Sequence, residues 1–307
     1  MKSTNSTIGY HLVAFLTVAI WGSTFVFTKI LLQNGLSPAQ IFTLRFIIAY
    51  VLLFGYELIF KYNSFRLFSD SWKDELLMVL LGVTGGSVYF LTENAAMLFT
   101  TATNTSLIVC SCPLFAMLVY AIIYRHTERF TKLQVFGSLL ACLGMAVVVL
   151  NGHFVLHLSP LGDTLAFAAC LCWAFYSLLM KPATERYSTL FITRKVFFYG
   201  LVTIIPYYFF VPKDVSIFTT SFHQLFNPTV LLNLLFLGVI ASMLCFLVWN
   251  WVIHKLGTVV ATNWVYFNPI ITIIFAWWLL HEQITPWFLL GTFCILVGMF
   301  LCDHRKY

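Results

Sequence analysis

Long apolar runs with almost no charge limit what this chain can fold into more than any other feature of its sequence. Each run lasts about twenty residues and is bounded by charged residues, Gly or Pro. Backbone amides find no partner in lipid, so a spanning segment must be a helix or part of a closed barrel. Runs of this length that do not alternate polar with apolar residues indicate helices. With 61% hydrophobic and 9% charged residues, we predict an all-α integral membrane protein.

The boundaries of these runs predict ten transmembrane helices. They are 10–33, 38–60, 75–99, 102–124, 132–150, 160–181, 188–211, 229–254, 257–280 and 285–303. The remaining residues suffice only for short loops and two tails, so we expect no separate soluble domain.

The distribution of Lys and Arg predicts the orientation of the helices. With the amino terminus in the cytoplasm, twelve of the 17 Lys and Arg residues fall in cytoplasmic loops or tails, and only Lys213 falls in an outer loop. We therefore expect a multi-pass protein of the plasma or bacterial inner membrane with both termini in the cytoplasm. The net charge of +6 reflects this topology, and no nucleic-acid partner is expected. The other four cations, Lys29, Arg45, Arg194 and Lys195, lie inside predicted helices.

An internal repeat runs through the chain. A shift of 156 residues superposes LGVTGGSVYFLTEN on LGVIASMLCFLVWN. In the same way, the spacing from Trp21 to Lys29 recurs between Trp173 and Lys181. Lys181, which precedes a proline at the predicted helix end, is interpreted as an interfacial anchor.

The two copies of the repeat are predicted to have opposite orientations. Each half, 10–150 and 160–303, contains five helices, so the second half enters the membrane from the opposite side. The loop between helices 4 and 5 carries Arg125, Arg129 and Lys132, whereas its counterpart between helices 9 and 10 has no Lys or Arg. Two inverted five-helix repeats are typical of many secondary transporters, whose substrate site lies between the halves.

The sequence contains no legible catalytic or metal-binding motif. Neither a catalytic triad, a phosphate loop nor a paired-carboxylate arrangement can be found, so we predict neither an enzyme nor a cofactor. The cysteines lack zinc-site spacing and are interpreted as packing residues. All eight fall within predicted helices: Cys110, Cys112, Cys142, Cys170, Cys172, Cys245, Cys294 and Cys302.

Several segments resemble the EamA-type branch of the drug/metabolite transporter superfamily. These are WGSTFVFTK, LRF, TATNTSLIVCSCPLF and GSLLACLGMAVVV in the first half, and GTVVATNWVYFNPIITIIFAWWLLHEQIT with GTFCILVGMF in the second. The resemblance implies a ten-helix carrier or exporter of amino acids, other metabolites or amphipathic drugs, with a central cavity between the repeats. Glu93, Trp249 and Trp251 depart from the family pattern.

The function predicted from repeat and resemblance is secondary transport. Small metabolites such as amino acids or amphipathic compounds would cross the cytoplasmic membrane by alternating access around the central cavity. The expected partners are a small-molecule substrate and the lipid bilayer, and a monomer is compatible with the sequence. The alternative is a membrane receptor or scaffold that does not transport, although neither would need an inverted repeat.

Three charged residues are candidates for gating or coupling. Lys29, Arg45 and Glu93 all lie roughly 9 to 10 Å below the predicted outer surface, given 1.5 Å of rise per residue. A buried carboxylate is costly unless it is paired, hydrated or protonated. We therefore hypothesise that Glu93 pairs with Lys29 or Arg45; the alternative is a purely structural pair or snorkelling of the two cations. Glu57 is expected to be interfacial.

Aromatic and amide side chains within the spans are candidates for substrate binding. A buried indole needs a partner for its N–H, so these residues could form an amphipathic pocket for a zwitterionic or aromatic metabolite. The alternative for any one of them is interhelical packing. The candidates are Trp21, Tyr89, Asn94, Trp173, Tyr176, Trp249, Asn250, Asn263, Trp264 and Tyr266. Pro113 and Pro269 are expected to kink helices 4 and 9 at equivalent places.

Overall fold

Ten helical stretches account for nearly all of the chain that the structure describes. The computed structural model of the protein describes residues 4–61, 65–100, 102–123, 131–150, 159–211, 225–280 and 286–303. We number the helices α1 (Thr4–Gln33), α2 (Pro38–Phe60), α3 (Trp72–Phe99), α4 (Ala102–Val109 and Cys112–Ile123), α5 (Lys132–Leu150), α6 (Pro160–Arg186), α7 (Thr189–Phe210), α8 (Pro228–Leu256), α9 (258–280) and α10 (Pro286–Asp303).

Six of these helices, α1, α2, α3, α6, α7 and α8, are long and apolar enough to cross a membrane. The described parts of α5, α9 and α10 include shorter apolar helices, and no strand occurs among the described residues. The prediction of an all-α, ten-helix membrane protein is confirmed. Lys213 and the loop residues Arg125 and Arg129, used to predict orientation, lie outside the described residues.

The helices begin and end where local backbone chemistry favours it. Ser37 caps α2 in a full capping box with Gln40, and Ser188 caps α7 by accepting a hydrogen bond from the Phe191 N–H. The turn between α8 and α9 falls at Gly257, whose φ of 83° favours glycine. The turn therefore lies at the predicted boundary between helices 229–254 and 257–280.

The predicted end of helix 6 at Lys181 is wrong. The helix continues to Arg186 with Pro182 in its interior, although an internal proline removes a backbone hydrogen bond. The last turn is held by tertiary contacts, because Arg186 bonds Asp74 across the bundle and the adjoining Ala183 is buried. Lys181 therefore lies more than a turn inside the helix.

Irregular turns occur at equivalent places in the two halves. The π-helical segments Val83–Ser87 and Phe236–Leu244 overlap when the chain is shifted by 156 residues. Likewise, α4 is interrupted between Val109 and Cys112, and α9 contains the 3₁₀ turn Trp264–Phe267. Each interruption ends two residues before the proline at which a kink was predicted, Pro113 or Pro269.

Packing between the halves follows an approximate two-fold axis. α3 packs on α6 as α8 packs on α1, and α3 packs on α7 as α8 packs on α2. α5 and α10 pack closely on each other at glycines. A Cβ atom added to Gly144 would lie 2.7 Å from the carbonyl oxygen of Gly291, and a Cβ atom added to Gly298 would lie 2.5 Å from the carbonyl oxygen of Gly137. These two contacts interchange under a shift of 154 residues, as expected for two inverted repeats.

α2 and α7 cross this axis. A shift of 151 residues relates Ser37 to Ser188, Ile41 to Ile192, Phe46 to Phe197 and Tyr56 to Tyr207. The equivalent rings of Phe46 and Phe197 contact each other with centroids 5.0 Å apart. α1 begins and α10 ends at one face of the bundle, where His11 and Phe300 line a common cavity. We call this the terminal face.

Candidate functional site

A small cavity lies where the two repeats meet, with a volume of about 30 Å³. Seven helices line it: α1, α2, α3 and α4 from the first repeat, and α6, α8 and α9 from the second. Five of the predicted site residues face it together: Trp21, Arg45, Tyr89, Glu93 and Trp173. We call it the central cavity.

Aromatic rings form most of its wall. The repeat-equivalent residues Trp21 and Trp173 meet edge to face with centroids 5.2 Å apart, and Tyr89 lies 5.0 Å from Trp173. The Trp21 indole donates to the Ala241 carbonyl at 2.8 Å, an acceptor in the π-helical part of α8. The indole N–H of Trp173 is buried and has no hydrogen-bond partner. This donor is therefore unsatisfied in the structure.

Two opposite charges share the cavity without forming an ion pair. Arg45 donates through Nε to Ser242 at 2.8 Å, and its guanidinium lies 4.2 Å from the centroid of the Phe90 ring. Glu93 accepts a hydrogen bond from the Tyr89 hydroxyl at 2.7 Å. Among the described residues, these are the hydrogen bonds that the Arg45 and Glu93 side chains make. The terminal nitrogens of Arg45 and the second oxygen of Glu93 can therefore bind a ligand.

Lys29 makes a different contact from the ion pair hypothesised with Glu93. Its Nζ donates to the Met97 carbonyl at 2.7 Å, one of the carbonyls left without a partner at the end of α3. The hypothesised ion pair between Glu93 and Lys29 is absent from the described residues. Lys29 thus meets α3 about one turn beyond Glu93, because Met97 follows Glu93 by four residues.

A second layer supports the aromatic wall from behind. The Tyr176 hydroxyl donates to Asn250 Oδ1 at 2.6 Å, and Asn250 Nδ2 donates to Thr193 at 2.9 Å. Trp249 is fully buried, its ring centroid lies 5.1 Å from that of Trp21, and its N–H also lacks a partner. Of these residues none lines the central cavity.

The other four predicted binding residues lie away from the central cavity. Asn94 donates to the Pro38 carbonyl at 3.1 Å, and Tyr266 shares a hydrogen bond of 3.0 Å with Ser138. Asn263 and Trp264 line a separate cavity of about 250 Å³ near the terminal face. There the Trp264 indole donates to His11 Nδ1 at 3.1 Å.

A charged cluster at the terminal face escaped the sequence analysis. Glu57 was expected to be interfacial but is buried and forms an ion pair with Arg194. Lys195 and Tyr199 both bond Glu75 at the start of α3. A signal was present in the sequence, since Arg194 and Lys195 lie in the first two turns of α7, at the face where α2 ends and α3 begins.

The cluster extends to the turn between α6 and α7. Arg186 bonds Asp74 at 2.5 Å, and the Tyr187 hydroxyl donates to the same carboxylate at 3.1 Å. Burial raises the pKa of Tyr187, so its hydroxyl stays protonated and keeps this role as donor. The same oxygen accepts from the Asp70 N–H at 2.8 Å.

Cysteines provide neither disulfides nor a metal site in the described part of the chain. The seven cysteines with described side chains are free, and no group of three or more His, Cys, Asp or Glu could hold a metal ion there. Cys112 is buried and lines the central cavity, which makes it a natural reporter of access.

Comparisons with known proteins agree with the architecture. The EamA-like transporter family matches twice, at residues 8–150 and 160–302. An uncharacterized transporter of Archaeoglobus fulgidus is 25% identical over 97% of this chain and 98% of its own. A probable amino-acid metabolite efflux pump of Escherichia coli is 27% identical, and the match covers 94% of this chain and 93% of the pump. A protein of known crystal structure, 17% identical, superposes over 96% of both chains with a TM-score of 0.67, which shows the shared fold alone.

Proposed function

The chain belongs to the EamA-like transporter family, and from this premise we propose that it moves small zwitterionic metabolites, amino acids among them, across the cytoplasmic membrane. Transport would be secondary and would proceed by alternating access around the central cavity. The relative named as a probable amino-acid metabolite efflux pump supports export as the direction.

The observation that carries this proposal is the presence of unsatisfied opposite charges in one aromatic cavity. The terminal nitrogens of Arg45 can bind a carboxylate in a bidentate manner. The free oxygen of Glu93 can accept a hydrogen bond from an ammonium group. The Trp173 N–H offers a further donor, and the surrounding rings suit an apolar or aromatic side chain.

The size of the cavity supports a closed state in which no substrate fits. A volume of about 30 Å³ has room for a few water molecules at most. An amino acid would enter only after the repeats separate at one face. This requirement agrees with alternating access, in which one repeat moves against the other around a fixed site.

The proposed orientation places the terminal face in the cytoplasm. Among the described residues, Lys61, Arg66, Lys73, Arg186 and Lys255 lie at or near helix ends on that face. An excess of Lys and Arg marks the cytoplasmic side of membrane proteins. Export would then load substrate at the terminal face.

The test is counterflow in proteoliposomes with three forms of one aromatic amino acid. These are the zwitterion, its amide, which lacks the carboxylate, and its deaminated acid, which lacks the ammonium. We expect the zwitterion to exchange and both analogues to exchange much less, because each leaves Arg45 or Glu93 unpaired in a buried site. Equal exchange of all three forms would contradict the zwitterion site. Failure of folded protein to exchange any of them would favour a receptor or scaffold.

A further inference from the structure

The contact between α2 and α7 has three parts along its length. Its centre is the pair of equivalent rings, Phe46 and Phe197. At the terminal face Glu57 pairs with Arg194. At the opposite face the hydroxyls of Thr43 and Tyr208 share a hydrogen bond of 2.7 Å.

The two outer contacts occupy equivalent positions in the internal repeat. A shift of 151 residues takes Glu57 to Tyr208 and Thr43 to Arg194. The pair at one face is therefore the symmetry partner of the pair at the other. One is charged and the other is neutral.

The charged pair is well shielded from water. Arg194 is 2% exposed and Glu57 is 5% exposed, and the joined atoms, Nε and Oε2, make no hydrogen bond with any other group. The guanidinium also donates to the Arg66 carbonyl and lies 4.7 Å from the centroid of the Phe65 ring. The segment after α2 thus covers the pair.

A second pair strengthens the same face. Lys195, the residue after Arg194, pairs with Glu75 at the start of α3, so α7 is bound by charge to two helices of the first repeat. The repeat counterparts of Lys195 and Glu75 are Leu44 and Leu231. Within the described residues, the ion pairs of α7 with α2 and α3 therefore lie at the terminal face.

We propose that the Glu57–Arg194 and Glu75–Lys195 pairs form a latch that closes the terminal face, and that the Thr43–Tyr208 hydrogen bond is its weaker counterpart at the opposite face. This inference rests on the proposed transport function. Among the described contacts, opening the terminal face separates two charge-assisted pairs, whereas opening the opposite face breaks the neutral hydrogen bond between Thr43 and Tyr208. The protein therefore rests with its terminal face shut and opens more readily on the other side.

The experiment measures access to Cys112, which lines the central cavity, in protein whose other cysteines are replaced. An impermeant maleimide is applied from one face at a time to reconstituted protein of known orientation. The test variant combines Glu57→Gln with Arg194→Gln, which removes both charges and leaves no buried charge unpaired. The matched control combines Arg66→Gln with Asp70→Asn, an ion pair at the same face whose side chains are 54% and 55% exposed.

We expect the test variant to be labelled about tenfold faster from the terminal face, the shift that about 1.4 kcal/mol produces, and the control to behave as the parent. Exchanging the charges with Glu57→Arg and Arg194→Glu should restore slow labelling. Unchanged labelling of the folded neutral variant, or equal acceleration from both faces, would overturn the latch. If that variant does not fold, Tyr208→Phe decides, since it should speed labelling from the opposite face alone.

Labelling needs no substrate, so the two proposals can fail separately. A face-specific change in labelling without exchange of any amino acid would refute the transport function and leave a latched cavity. Normal exchange with unchanged labelling would refute the latch and leave the transport function intact.

Discussion

Trp173 provides the most direct test of the central cavity as a ligand site. Its indole N–H is buried without a hydrogen-bond partner, and its side chain lines the cavity. Trp173→Phe keeps an aromatic ring and removes the donor. A lost hydrogen bond to substrate should cost about 1 to 1.5 kcal/mol, which raises the half-saturation concentration about five- to twelvefold.

Trp249 supplies the matched control. Its N–H is also buried and unpartnered, but it lies behind the wall and does not line the cavity. Each Trp→Phe change should alter thermal stability by roughly 0.5 to 3 kcal/mol through lost packing. Only Trp173→Phe should change the half-saturation concentration in counterflow. Equal shifts for both variants, or a shift for Trp249→Phe alone, would refute the assignment of the cavity as the binding site.

Thermal unfolding and counterflow test three other contacts. Gly298→Ala should lower the unfolding temperature, because the added Cβ would lie 2.5 Å from backbone atoms of α5. The control Gly55→Ala adds a Cβ that meets nothing within 4 Å, so it should be neutral or stabilising. Equal falls in unfolding temperature for the two variants would contradict the close packing of α5 and α10. Arg194→Gln should lower the free energy of unfolding by about 3 to 5 kcal/mol, because it leaves a buried carboxylate unpaired. Arg186→Gln, at a side chain that is 60% exposed, should lower it by at most about 1 kcal/mol. Similar losses for the two variants would refute the argument from burial. Lys29→Met should lower the free energy of unfolding by about 1 kcal/mol without changing substrate affinity. A change in substrate affinity without a loss of stability would support the predicted gating role of Lys29.

The helices and the repeat could be predicted because both signals are carried along the sequence. Apolar length indicates a span, and the repeat shift relates equivalent positions without knowledge of packing. The end of α6 could not be predicted in this way. A proline disfavours helix by about 3 kcal/mol. The turn after Pro182 persists together with the burial of Ala183 and the contact of Arg186 with Asp74, neither of which the sequence shows.

Depth along the helices did not identify which of the charged residues face the cavity. Rise per residue placed Lys29, Arg45 and Glu93 in one layer, yet only Arg45 and Glu93 share the cavity. In a helix that is apolar on all sides, the sequence does not show which face meets a neighbour. Trp21 and Trp173, equivalent in the repeat, meet each other at the cavity, whereas Tyr266 packs elsewhere.

The symmetry of the α2–α7 interface allows the latch to be moved to the other face. Under the 151-residue shift, Thr43→Arg with Tyr208→Glu would reproduce at the opposite face the pair that Glu57 and Arg194 form at the terminal face. Neither position lines the central cavity, so substrate affinity should be retained. Counterflow should slow by about tenfold if the added pair contributes about 1.4 kcal/mol to the closed state.

Two controls separate a closed cavity from a damaged one. Labelling of Cys112 from the opposite face should slow together with exchange, because the same opening serves both. Thr43→Arg alone leaves the new charge unpaired and should destabilise the fold, whereas the paired variant should recover stability. Slow exchange with unchanged labelling would show that the substitutions obstruct the substrate path and do not hinder opening of the opposite face. That result would refute the proposal that the two contacts act equivalently at the two faces.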